Sequence, residues 1–124
     1  MTTAHQAYQL SSVQTASPGQ LVVMLFDGCL RFLRRAEAAA KAGQPAELTA
    51  GVNRATAIIM ELNATLDMEA GGEISTNLRN LYVFLQRHLL DAARESDAHA
   101  IRQAIGIVAE LRSAFATAAR QAAA

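Results

Sequence analysis

The 124-residue sequence predicts an all-α protein, an antiparallel up-down four-helix bundle preceded by a short, mobile N-terminal segment. Three observations predict it. Apolar residues recur at alternating spacings of three and four in four separate stretches, the signature of helices buried along one stripe. The composition is rich in alanine, with two prolines and no tryptophan, and favours helix over sheet. The stretches are separated by short turn signals, so consecutive helices must run antiparallel.

Residues 1–16 have weak periodicity and form the arm; residues 17–124 form the bundle. The first helix is expected over about 18–42. Ser17 suits the N-cap, Pro18 the first helical position and Gln20 the third position of a capping box, and Gly43 ends the helix. Its inward stripe reads Leu21, Leu25, Gly28, Phe32, Ala36 and Ala39. Gly28 in a helix interior costs about 1 kcal/mol relative to alanine, which points to close approach of a neighbouring backbone. The second helix, about 45–69, opens on Pro45, carries Glu47 in its first turn and is striped by Leu48, Val52, Ala55, Ile59, Leu62 and Leu66. Gly71-Gly72 is the strongest turn signal in the chain. The third helix, about 73–95, is striped by Ile74, Leu78, Leu81, Leu85, Leu89 and Ala92. Ser96 or Asp97 caps the fourth, about 97–120, striped by Ile101, Ile105, Val108, Leu111 and Phe115, with a fraying alanine-rich end.

Eleven basic and eleven acidic residues leave a formal net charge of zero, which argues against a nucleic-acid partner. The longest apolar run, Leu21–Phe26, is far too short to insert into a membrane. The single cysteine, Cys29, fits a reducing, cytoplasmic setting.

His5, His88 and His99 share no ligand spacing, and Glu95 and His99 straddle a helix boundary. Cys29 has no histidine close by in sequence and reads as a buried, inert thiol. Asp67, Glu69 and Glu73 read as a solvated acidic loop, and Arg31, Arg34 and Arg35 as a solvated helix face. No enzyme and no cofactor are expected. What remains is apolar surplus: Val22, Phe26 and Leu33 lie off the first stripe, Ile58 off the second, Tyr82 and Phe84 off the third. Surplus on three helices predicts a groove filled by another amphipathic segment. Asn63 and Asn77 flank the Gly-Gly turn; their amides either bond an extended client strand or stabilise the turn.

Several stretches, in this order, resemble the flagellar export chaperone family FliS. They are Ala7-Tyr8, TASPGQL (15–21), MLFDG (24–28), ELNATLDME (61–69), GGEISTNL (71–78), Leu81-Tyr82 and AIGIVAELR (104–112). The resemblance covers nearly the whole chain. It implies a cytoplasmic, non-catalytic chaperone with a four-helix bundle fold. The implied client is the disordered C-terminal region of flagellin, kept from premature polymerisation and delivered to the export gate of the flagellar type III secretion apparatus. It further implies that Tyr8 matters for client binding, and it places Phe115 where the family often has tryptophan. Taken with the apolar surplus, the expected client-binding set is Tyr8, Leu10, Val22, Phe26, Ile58, Asn63, Leu66, Asn77, Leu78 and Tyr82. A homodimer is the expected form when free. The competing expectation is a non-catalytic helical scaffold that self-associates through the same surface.

Overall fold

A computed structural model describes residues 16–123 as four helices: α1 (Pro18–Lys41), α2 (Pro45–Ala64), α3 (Gly72–Glu95) and α4 (Ala98–Ala123). Several boundaries have a local cause. Ser17 and Gln20 close a reciprocal capping box, with Ser17 N donating to Gln20 Oε1 at 2.8 Å and Gln20 N to Ser17 Oγ at 3.2 Å. α1 stops at Gly43, whose positive φ of 67° lets Gln44 N return to Ala39 O at 2.9 Å. Ser96, at φ 52°, ends α3, and Asp97 caps α4 by accepting from Ala100 N at 3.0 Å. α4 continues as helix to Ala123, past the expected end near residue 120.

α2 is shorter than its apolar period suggests, ending at Ala64 rather than near 69. Polar side chains there outcompete the helix for backbone groups. Thr65 Oγ1 donates to Leu62 O at 2.6 Å, while Asp67 Oδ1 accepts from Glu69 N at 3.1 Å and Ala70 N at 2.9 Å.

α1 packs closely against both α2 and α4, and α3 leans more sparsely on those same two helices, leaving α1 and α3 as the diagonal pair. The core joins Phe26, Cys29, Leu30 and Leu33 of α1 with Leu48, Val52, Ile59 and Leu62 of α2. Tyr82, Leu85 and Leu89 of α3 meet Ile101, Ile105 and Val108 of α4 in the same cluster. The buried face of α1 is thus rotated from the expected one. Phe26 and Leu33, expected off the stripe, are 0% exposed, whereas Leu21 is exposed and Leu25 and Phe32 are half-buried. Tyr82 is likewise in the core, and Ile74, expected inside, is 71% exposed.

Gly28 is approached by a side chain rather than by backbone, since a Cβ there would lie 3.3 Å from Ile58 Cδ1. The close backbone approach falls at Gly51, where a Cβ would sit 3.1 Å from Phe32 O and 3.3 Å from Ala36 Cα. Two ion pairs bind α1 to α4. Arg112 Nε donates to Asp27 Oδ1 at 2.9 Å, and Arg102 lies 3.4 Å from Glu37, which also faces Lys41 at 3.9 Å.

Candidate functional site

At the pole where α1 and α3 begin and α2 ends, the helices part to leave an open groove of about 920 Å³. One wall is the first two turns of α1, presenting Pro18, Leu21, Val22, Met24 and Leu25. The other is the end of α2 with its following loop (Glu61, Thr65, Leu66, Asp67) and the start of α3 (Ile74, Ser75, Leu78). Phe115 reaches in from α4 and rests on the core through Phe26, ring centroids 5.2 Å apart.

The groove exists because α2 stops early. Had the helix continued to residue 69, Leu66 and Asp67 would lie on its cylinder instead of spanning the gap to α3. The loop is held by Asp67, whose carbonyl accepts from Gly71 N at 2.9 Å and from Ser75 Oγ at 2.9 Å. Gly71 leaves no room for a side chain, since a Cβ would collide with Ser75 and lie 2.8 Å from Asp67 O.

The expected client-binding residues divide. Val22, Leu66 and Leu78 line the groove together. Phe26 and Tyr82, at 0% and 2% exposure, present no surface to a partner; Phe26 supports the groove from beneath through Phe115. Ile58 packs against Gly28 away from the groove. Asn77 is exposed and outside the lining, and Asn63 is half-buried with its Oδ1 shut off from solvent and without a donor. Tyr8 and Leu10 lie outside the described residues. Sequence reasoning missed Met24 and placed Leu21, Leu25, Ile74 and Phe115 in the core. The available signal was the unbroken apolar run Leu21–Phe26, which is wider than one core stripe requires.

Burial pushes the Cys29 thiol up to about 12 and the Tyr82 phenol up to about 12, so both stay protonated at neutral pH. His88 ties α3 to α4, its Nε2 donating to Ala100 O at 2.8 Å. No group of three or more His, Cys, Asp or Glu side chains among the described residues could hold a metal ion. No described helix is long and apolar enough to cross a membrane.

A helical bundle presenting an open, largely apolar groove has room to seat an amphipathic protein segment. The family model described as "Flagellar protein FliS" matches residues 1–122. The chain is 41% identical over 106 residues to the flagellar secretion chaperone FliS of Salmonella typhimurium, covering 85% of this chain and 78% of that protein. It is 35% identical over 112 residues to the Campylobacter jejuni flagellar secretion chaperone FliS (90% and 88% covered). With the Bacillus subtilis protein of the same name the identity is 34% over 111 residues (90% and 82% covered). The chain belongs to the FliS family of flagellar secretion chaperones, whose role is non-enzymatic.

Proposed function

We propose that this protein is a cytoplasmic export chaperone that holds the disordered C-terminal region of flagellin, prevents its premature polymerisation and delivers it to the flagellar type III export apparatus. The observation that carries the reading is the apolar groove at the α1–α3 pole, on a chain of this family. An extended or helical client segment laid into it would cover Leu21 and Ile74, which otherwise stand exposed. Val22, Leu66 and Leu78 would form the seat beneath. Burying one such side chain against a partner contributes on the order of 1.5–3 kcal/mol, roughly one to two powers of ten in affinity. In the same reading Tyr8 and Leu10 contribute from the N-terminal arm.

The test is a calorimetric titration with a peptide of flagellin's C-terminal segment. Leu21→Asp and Ile74→Asp change exposed positions, so the bundle stays folded, and each should weaken binding about tenfold or more. Phe84→Asp, at an exposed position away from the groove, should leave affinity unchanged. Equal affinity for all four proteins removes the groove from the reading. Concentration-dependent dimers without any binding of the peptide would favour the self-associating scaffold.

A further inference from the structure

We infer that the groove selects client segments in which a lysine or arginine stands next to the apolar anchors, and that Glu61 and Asp67 read that charge. The inference rests on the groove being the flagellin site proposed above. Among the described residues the charges on its lining are all of one sign: Glu61 and Asp67 carry carboxylates, Thr65 and Ser75 hydroxyls, and no described lysine, arginine or histidine lines it. All four polar groups belong to the α2–loop–α3 wall, while the α1 wall is apolar. A bound segment therefore meets grease on one side and negative charge on the other.

Two further observations indicate that this charge awaits a cation from outside. Glu61 sits in the last turn of α2, where the helix dipole already places partial negative charge and a carboxylate is disfavoured. α1, α3 and α4 carry Lys41, Arg94 and Arg120 respectively in their last turns, but α2 has no basic residue in its last turn. Glu61 is exposed, and among the described residues neither it nor Asp67 carries an ion pair. Asp67 is also held in place. Oδ1 takes the N–H groups of Glu69 and Ala70, and the backbone carbonyl takes Gly71 and Ser75, so the carboxylate loses little freedom when a cation arrives. The two loop N–H groups fill Oδ1, so the incoming cation is met by Oδ2.

The test compares flagellin's C-terminal segment with a version in which every lysine and arginine is replaced by glutamine. Both are titrated against the full chain and against the double variant Glu61→Gln, Asp67→Asn. Both substitutions preserve the fold: Glu61 is exposed, and an asparagine Oδ1 still accepts the two loop N–H groups. The native segment should bind the wild type about tenfold more tightly than the charge-stripped one at low salt, with each exposed pair giving up to about fivefold. That preference should fall to within about twofold in the double variant, and likewise at about 0.5 M salt. Equal affinity of the two segments for the wild type overturns the inference and leaves the groove reading intact. A preference that survives in the double variant overturns the assignment to Glu61 and Asp67. Failure of the native segment to bind the wild type at all overturns the proposed function itself, and with it the inference.

Discussion

Asp27 shows what a single residue conceals in sequence. It interrupts an apolar run in the middle of α1, and its partner, Arg112, lies 85 residues further on. Cys29 and Tyr82 behave in the opposite way, since their chemistry follows from burial alone. Cys29 is fully enclosed, with its Sγ 3.8 Å from Ala55 O, and burial raises its pKa from 9.0 to about 12. Thiol reagents should therefore label it slowly in the native protein and rapidly in denaturant; fast native labelling would show that the α1 face opens. The same burial predicts an alkaline weakness. In the unfolded chain the thiol and phenol ionise near their ordinary values of 9.0 and 10.0, while in the fold both hold their protons to about 12. Their contribution is complete below pH 9, and it is lost as pH rises toward 12, because the unfolded state then binds fewer protons than the folded one. Urea midpoints measured from pH 8 to 11 should fall with pH, and less steeply in Cys29→Ala and Tyr82→Phe.

At the scale of elements, three helical glycines separate propensity from packing. Gly106 faces open space, so Gly106→Ala should stabilise by about 0.5–1 kcal/mol through helix propensity alone. Gly28 meets the flexible tip of Ile58, and Gly28→Ala should come out close to neutral. Gly51 meets the backbone of α1, which cannot yield without separating the two helices, so Gly51→Ala should destabilise by about 1–3 kcal/mol despite alanine's better propensity. Chemical denaturation of the three variants checks the order; a stabilised Gly51→Ala would mean that α1 and α2 sit further apart. The early end of α2 belongs to the same scale. Its apolar period runs through Leu66, but hydrogen bonds from Thr65 and to Asp67 cut the helix short and thereby open the groove.

For the whole molecule, the buried core runs up to the edge of the groove. Leu62 is fully buried where α2 meets the core, just before the groove begins. Leu62→Ala should cost about 2–5 kcal/mol, read as a shift in the urea midpoint with little change in slope. A midpoint within error of wild type would show that this end of the core relaxes around the cavity. α3, packed more sparsely than its neighbours, is the helix whose displacement would widen the groove with the least loss of core.

The four helices, their caps at Ser17 and Asp97 and the stop at Gly43 were legible because they depend on residues a few positions apart. Helix α2's stripe from Leu48 to Leu62 was legible for the same reason, and its residues Leu48, Val52, Ala55, Ile59 and Leu62 are all buried. α1 was different. Its apolar residues satisfy helical spacing along two stripes, one through Leu21, Leu25 and Phe32, the other through Phe26, Cys29 and Leu33. Periodicity cannot choose between them. The choice is made by α2 and α4, which flank α1 and bury the second stripe, turning Leu21 out to the groove. Likewise Ile74 fits the third stripe by spacing, yet stands exposed because α2 has already ended and left nothing opposite it. Sequence by itself determined the fold class and the family likeness, both carried by local pattern. Which apolar residues became core and which came to line the groove was decided by the tertiary packing, because burial depends on what lies across from a side chain.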